Sequence, residues 1–589
     1  MAAILGLNAF HPDSAACLLI DGKLVAAVAE ERLGQRYKHS ASFPENAVRW
    51  VLREGGITLS DVSHVAIGRN SSVNLRARIG YALSKPSAGL EAARSYLQRR
   101  SAGNSLAATL AIACGVDPGR FNPVIHRVEH HLAHIASAYY LSPFEQLTAG
   151  LSIDGSGDFV SAMAARCEGT RIEVLDKVLL PASLGHFYTA MCQFIGFDRF
   201  GEEYKVMGLA PYGEDRYAEQ MAQIVTTRGT PWFKVDGQYL DVWRGLRESV
   251  IDEGRDMRMG RIYTDALVRL LGEPRDRSAP VTQREMDIAR STQVMFEKAV
   301  SNCLTSLGRQ VPLTRLAMAG GCALNGVMNA RAYRDFPIEK AWLQAASSDD
   351  GTALGAAYHC WHELLGQTER FEMKHAFWGP GYDHATIGRA IAASGYAARE
   401  CADEDEMLAV TADLITAGQV TGWYQGRSEW GPRALGNRSI LANPGIPDMK
   451  DRINRKIKKR EGFRPFAPSI LREDVSAYFE QDVNSPFMMH VVRFRPEWRE
   501  AFPAVTHIDG TGRLQSVDAD NNPLYYRLLQ ALKLRTGHGM VLNTSFNENE
   551  PVVDTPEQAI ACFQRTDMDA LVLGRYVLIK PGQHSAAAS

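Results

Sequence analysis

The chain has 589 residues, 45% hydrophobic and 22% charged, the balance of a folded protein and a length beyond one core, so two or three domains are expected. Its 65 Lys and Arg against 67 Asp and Glu leave a formal net charge of −2, which excludes whole-protein attraction to nucleic acid or an anionic membrane but leaves local basic patches open. The nine cysteines are odd in number and never spaced CxxC, so neither a disulfide framework nor a zinc-finger-type site is expected, and a reducing cytosol fits best.

The opening stretch, MAAILGLNAFHPDSAA, has no basic segment ahead of its apolar run and meets Asp13 early, so no signal peptide is expected. No run of about 18 apolar residues occurs either, so no membrane span is expected. Strands are predicted over Ile4 to Asn8, Ala15 to Ile20 and Leu24 to Ala29, with Asp21-Gly22 as a hairpin turn. A helix opened by Pro44 carries Ala47, Val48, Val51 and Leu52 on one face. The pattern then returns: a strand over Leu147 to Ile153, a polar turn over Asp154 to Asp158, and strands over Phe159 to Ala165 and Ile172 to Leu180. Two hairpin-led α/β units suggest a duplicated fold of the actin, sugar-kinase and Hsp70 class; two unrelated α/β segments are the plainer alternative.

A long helix is predicted over Thr282 to Leu307, followed by a strand over Leu316 to Ala319, the turn Gly320-Gly321 and a helical run from Ala323. Glycines between a strand and a helix leave backbone N–H groups free to meet a phosphate or ribose, although an ordinary tight turn needs them equally. The polar stretch 366–374 is read as a domain boundary, with a strand starting near His375. Beyond it, a helix over Glu404 to Ala417 and strands over Val420 to Tyr424 and Met540 to Leu542 make the second part α/β as well.

Two constellations could carry chemistry. In Glu129-His130-His131-Leu132-Ala133-His134, His130 and His134 lie one helical turn apart, where two imidazoles can share a metal. There is no HExxH, so a zincin peptidase is not supported, and an isolated HxxxH is more often a pair of satisfied helix histidines. Asp154 and the Asp349-Asp350 pair, both at strand ends, could complete a set for Fe(II), Mn(II) or Zn(II). The second constellation is basic: Arg427, Arg433, Arg438, Lys458, Lys459, Arg460 and Arg464, with Arg513 and the Leu542-to-Asn547 hydroxyl-amide cluster later. Arginine forks suit phosphate oxygens. A solvated helix at 450 to 460 accounts for Lys450, Arg452 and Lys456, and the lack of interleaved aromatics disfavours a single-strand nucleic-acid groove. Neither a GxxxxGK[ST] loop nor a GxSxG elbow is present.

The segments GLNAFHPDSAA, AEERLGQRYKHSASFP, EHHLAHIASAYY, GEEYKVMGLAPYG, AGGCALNGVMN, SSDDGTALGAA, GRSEWGPRALGNRSIL, REGFRPFAP, HIDGTGRLQ and LNTSFNENEPVV occur in order over nearly the whole chain. Through them the sequence resembles the O-carbamoyltransferases of natural-product pathways, the family of the tobramycin, cephalosporin and nodulation-factor enzymes. The resemblance implies an actin-like (ASKHA) domain over 1–366, similar to the metal-dependent protein that transfers threonylcarbamoyl to tRNA, and a YrdC-like α/β domain over 374–589. It implies that carbamoyl phosphate and ATP, with Mg, form carbamoyl adenylate in the second domain. The carbamoyl group then passes in the first to a hydroxyl of a small natural product, and AMP leaves.

By the same resemblance His130, His134, Asp154 and Asp349 are the ligands of Fe(II) or another divalent metal, the doubled Asp leaving Asp350 as an alternative. His11 is the general base, or else a histidine packed in its turn; Lys38, Gly320, Gly321 and Asn325 surround the carbamoyl adenylate. Arg433, Lys458, Arg464, Arg513 and Ser545 contact carbamoyl phosphate and ATP, with Lys459 the alternative to Lys458. The implied partner is a small-molecule acceptor with a free hydroxyl, and the loops between about 215 and 280, the least family-like stretch, are expected to shape its pocket. Neither nucleic acid nor membrane is expected, and a homodimer in the cytoplasm is. Two other readings remain: a tRNA carbamoylation enzyme, which the near-neutral charge disfavours, and a non-catalytic actin-like regulator, which would leave the basic cluster without a purpose.

Overall fold

The computed structural model describes residues 2–33, 38–84, 106–230, 232–251 and 257–580. Its contacts divide the chain into two units, Met1–Met373 and Lys374–Ser589.

The first unit holds two five-stranded sheets. In one, β1 (Ala3–Asn8), β2 (Ala15–Ile20), β3 (Lys23–Ala29), β4 (His64–Ile67) and β5 (Val124–Arg127) run in the order β3-β2-β1-β4-β5. In the other, β6 (Thr148–Gly157), β7 (Val160–Glu168), β8 (Arg171–Leu179), β9 (Arg315–Ala319) and β10 (Lys340–Leu343) run β8-β7-β6-β9-β10. In each, three antiparallel strands lead and two parallel strands follow. The same order and directions occur twice, which is the duplication the hairpin pattern suggests. The helix Glu45–Glu54 buries Ala47, Val48, Val51 and Leu52, and these join Leu5, Leu7, Leu18 and Val65 in one core.

Three further helices position the site: α1 (His130–Tyr139), α2 (Gln283–Gly308) and α3 (Gly351–His359). Thr282 and Glu285 close a capping box at the start of α2, satisfying two of the donors a helix start leaves open.

Local structure departs from the sequence reading in four places. The polar stretch 154–157 is not a turn: β6 runs on to Gly157 with a bulge after Ile153. The reversal falls instead at Asp158 and Phe159, at φ +49° and +74°, where the Asp158 carboxylate accepts the Asn70 and His130 N–H groups. The run from Ala323 starts as a single 3₁₀ turn, and the α-helix begins only at Gly326. Residues 366–373 belong to the first unit: Arg370 donates to the Gly169 and Tyr139 carbonyls and Met373 N–H to the Leu141 carbonyl. No strand starts near His375, because Gly379 and Pro380 interrupt that segment, whose backbone bonds go to the irregular loop at Ser428 and Trp430.

The second unit is built on one mixed sheet of nine strands. Their order is Arg399–Glu400, Tyr576–Ile579, Ala570–Leu573, Thr421–Tyr424, Arg438–Ala442, Met540–Ser545, Ala467–Leu471, Thr511–Val517 and His490–Arg493. The helices Glu404–Thr416 and Pro523–Thr536 cover it through Leu408, Ile415, Leu528 and Leu532, which pack with Trp423, Leu441 and Val541.

Candidate functional site

In the first unit four side chains from three distant segments converge. Glu129 caps α1 by accepting the Leu132 N–H at 2.7 Å, and His130 and His134 follow on one face. Asp154 comes from β6 and Asp349 from the turn that enters α3. His130 Nε2 and His134 Nε2 are 3.1 Å apart. Asp154 Oδ2 lies 3.4 and 3.2 Å from them, and Asp349 Oδ1 lies 3.3 and 3.5 Å from them. Donors about 2.1 Å from one central ion stand roughly 3.0–3.4 Å apart at octahedral or tetrahedral angles, so this spacing fits a divalent cation. Gly157 lets the His130 ring lie against β6, since a Cβ there would stand 2.0 Å from that ring.

The electrostatics agree with a cation site. Burial opposes charge on His130, but Asp349 and Asp154 outweigh it and hold its pKa well above the ordinary value. Burial and Asp349 likewise oppose charge on Asp154, yet the bonds from His130 and His134 pull it below the usual carboxylate range. Two carboxylates and two imidazoles drawn to one point share their excess negative charge with whatever positive charge sits between them.

The doubled aspartate separates clearly. Asp349 splits its oxygens, Oδ1 toward the two histidines and Oδ2 against His11 Nδ1. Asp350 turns away and accepts the Gly351 N–H at 3.0 Å. His11 is one-third exposed, so its Nδ1 is oriented by a carboxylate while the ring edge reaches solvent. Lys38 lies in a turn beside His39, whose Nδ1 is 2.6 Å from Asp13 Oδ1, while Ser348 Oγ donates to Asp13 Oδ2 at 2.8 Å. Asp13, His39 and Ser348 thus brace the turn bearing Asp349. The sequence reading missed them, although all three stand inside quoted motifs.

Gly321 N–H donates to Asp154 Oδ1 at 3.2 Å, so the Gly320-Gly321 turn abuts the centre. The Asn325 side chain is committed to its own fold: Oδ1 accepts the Met328 N–H and its amide donates to Gln293. His131, beside His130 and one turn short of His134, is a clasp, its Nε2 donating to the Val160 carbonyl and its Nδ1 meeting Ser152 Oγ.

In the second unit the sheet register collects the basic residues. Ser439 pairs with Ser545, Ala467 with Asn543 and Ser469 with Gln515, which places the Arg433 loop, Arg464, Arg513 and Ser545 at one end of the sheet. Glu429 Oε1 accepts the Leu435, Asn437 and Arg438 N–H groups. Asn543 and Gln515 in turn donate to the carbonyls of Ala434 and Leu435. These bonds clamp the loop on both sides of Arg433.

The structure sorts the arginines. Arg427 and Arg438 spend their guanidinium groups on backbone carbonyls, and Arg438 is fully buried over Tyr424. Arg452, expected to be solvated, is an ion-pair partner of Asp569 and bonds the Gly418 carbonyl. Arg433 Nε is buried with no hydrogen-bond partner among the described residues, and burial lowers this guanidinium to about 10. Arg513 is pushed well below its ordinary value by burial and by Arg433, Arg460 and Arg464. Like charges gathered this closely are an arrangement suited to an anion. Lys458 is buried, its Nζ donating to the Asn547 carbonyl and Oδ1 at 2.8 and 2.7 Å and meeting Ser545. Lys459 instead faces solvent and pairs with Glu548 at 3.0 Å.

Comparison with known proteins covers both units. Residues 3–358 match the family description Carbamoyltransferase N-terminus and residues 412–580 match Carbamoyltransferase C-terminus. The chain is 38% identical to the nodulation protein NolNO of Sinorhizobium fredii, over 97% of this chain and 80% of that protein. It is 40% identical to the nodulation protein NolO of Bradyrhizobium diazoefficiens, over 77% and 79%. The 3'-hydroxymethylcephem-O-carbamoyltransferase of Amycolatopsis lactamdurans is 33% identical over 47% of this chain and 51% of its own length. No helix among the described residues is long and apolar enough to cross a membrane. With both halves matched and such relatives along most of its length, the chain belongs to the carbamoyltransferase family.

Proposed function

We propose that the protein is an ATP- and metal-dependent O-carbamoyltransferase. The second unit, read as YrdC-like, uses one water to release phosphate from carbamoyl phosphate and joins the resulting carbamate oxygen to the α-phosphorus of ATP, forming carbamoyl adenylate as pyrophosphate leaves. The first unit, read as actin-like, transfers that group to a hydroxyl of a small natural product, releasing AMP. The observation that carries this reading is the gathering of Arg433, Arg460 and Arg464 around Arg513, which pushes its pKa well below the ordinary value, together with an Arg433 Nε that has no hydrogen-bond partner among the described residues.

The chemistry follows from the residues. Arg433, Arg513 and Arg464 neutralise the phosphoryl oxygens of two anionic substrates, an effect strengthened where water is excluded. Lys458, pinned by Asn547 and Ser545, holds a charge at the same sheet end. In the first unit the Gly320-Gly321 turn and Lys38 receive the carbamoyl adenylate. His11, oriented through Nδ1 by Asp349, presents Nε2 to take the acceptor hydroxyl proton. A divalent cation such as Fe(II) on His130, His134, Asp154 and Asp349 would supply Lewis acidity for the carbamoyl carbonyl.

The test is pyrophosphate release from ATP with and without carbamoyl phosphate, before any acceptor is added and again with a panel of hydroxylated natural products. Release that requires carbamoyl phosphate and disappears in Arg433→Ala is expected. Release independent of carbamoyl phosphate, or none under any of these conditions, overturns the adenylation step.

A further inference from the structure

Outside the centre just described, the first unit brings a second set of metal-ligating side chains together. Neighbouring parallel strands pair His64 with Val124 and Ala66 with His126, so both histidines reach the same side of the sheet. His64 Nδ1 stands 3.0 Å from His126 Nε2. Cys360 opens a short π-helical turn, Cys360–Leu364, directly after α3, a widening often found at functional positions. One donor atom from each of His64, His126 and Cys360 lies within 4.8 Å of the other two.

We propose that His64, His126 and Cys360 form a second metal site, for a borderline divalent ion of the zinc class. Two imidazoles and a thiolate are the donors such ions prefer, unlike the oxygen-rich set at Asp154 and Asp349. Around tetrahedral zinc, nitrogen and sulfur donors stand roughly 3.3–3.7 Å apart, within easy side-chain adjustment of the observed spacing. Burial lowers His126, with His64 adding to the effect. The Cys360 thiol is raised to about 12 by burial alone, so binding releases its proton to water and leaves the thiolate on the metal. Cys360 is fully buried whereas the two histidines are half-buried, which opens a fourth coordination position to water. His359 adds a third imidazole nearby: its Nδ1 is buried without a hydrogen-bond partner among the described residues, and His126 lies within its electrostatic reach. The site is separate from the first centre, since α3 spans nine residues between Asp350 and Cys360, about 13 Å of helix.

Cobalt(II) tests this directly, because a thiolate ligand gives a near-ultraviolet charge-transfer band that carboxylates and imidazoles do not. The full chain, stripped by chelator and titrated with cobalt(II), is expected to bind two ions and develop the band. Cys360→Ser is expected to bind one ion without the band, and so is the double variant His64→Ala with His126→Ala, which keeps the cysteine. Asp349→Asn keeps the band and loses the other ion. No band in the wild-type chain, or a band that persists in Cys360→Ser, overturns the proposal; the wild-type spectrum decides it even where a variant misfolds.

Discussion

Gly355 of α3 lies so close to α1 that a Cβ at 355 would stand 1.7 Å from the Ala133 carbonyl oxygen. Ala133 sits between His130 and His134 on α1, and Gly355 sits six residues after Asp349. This contact of two helices without intervening side chains therefore sets how near Asp349 comes to His130 and His134.

Gly355→Ala should consequently weaken the protein and the centre together. The methyl group favours the helix by about 1 kcal/mol, but forcing the backbones apart costs about 1–3 kcal/mol or more. A lower melting temperature is expected with metal content well below that of the wild-type chain. A variant with full metal content would show that α3 can shift without moving Asp349.

The two adjacent aspartates should behave oppositely. Asp349→Asn removes an anionic oxygen from the centre and frees His11 of its carboxylate, and metal retention should fall at least about tenfold, the usual scale for losing a ligand or its support. Asp350→Asn keeps an oxygen on the Gly351 N–H, and asparagine caps helices as well as aspartate. Metal analysis of both variants after dialysis checks this, and a reversed order would make Asp350 the ligand.

Arg513→Ala should trade binding for stability. It removes a guanidinium that burial and three neighbouring arginines disfavour, so the ligand-free melting temperature should hold or rise. The stabilisation that ATP and carbamoyl phosphate bring to the wild-type protein, about 2.7 kcal/mol at a hundredfold excess over Kd, should vanish. Thermal melts with and without the two substrates report both effects; a ligand shift equal to wild type would remove Arg513 from the pocket.

The second unit should lose stability in mild acid. Burial lowers His490 to about 3, whereas it titrates near 6.5 in the unfolded chain. Below pH 6.5 the unfolded state therefore binds a proton that the folded state refuses. Stability is complete above pH 6.5 and declines as pH falls toward 3, by up to about 1.4 kcal/mol per unit from this group. His490→Gln, measured by urea unfolding at pH 7 and pH 5, should show a shallower pH dependence than wild type. An unchanged slope would mean that His490 titrates normally in the folded protein.

Much of this molecule is legible locally. The Asp21-Gly22 hairpin, the helix behind Pro44, the capped start of α2 and the one-turn spacing of His130 and His134 follow from short-range periodicity and capping, which depend on residues a few positions apart. The repeated strand pattern also carries the duplication, because each half repeats the same local elements. Tertiary structure alone separated Asp349 from Asp350 and Lys458 from Lys459, since adjacent side chains point to opposite surroundings supplied by segments far along the chain. It turned Arg438 and Arg452 into structural bonds while gathering Arg433, Arg460 and Arg464 around Arg513. It likewise joined Cys360 to His64 and His126 across nearly 300 positions, a set no spacing motif could show, because a metal reads distances in space and not positions in sequence.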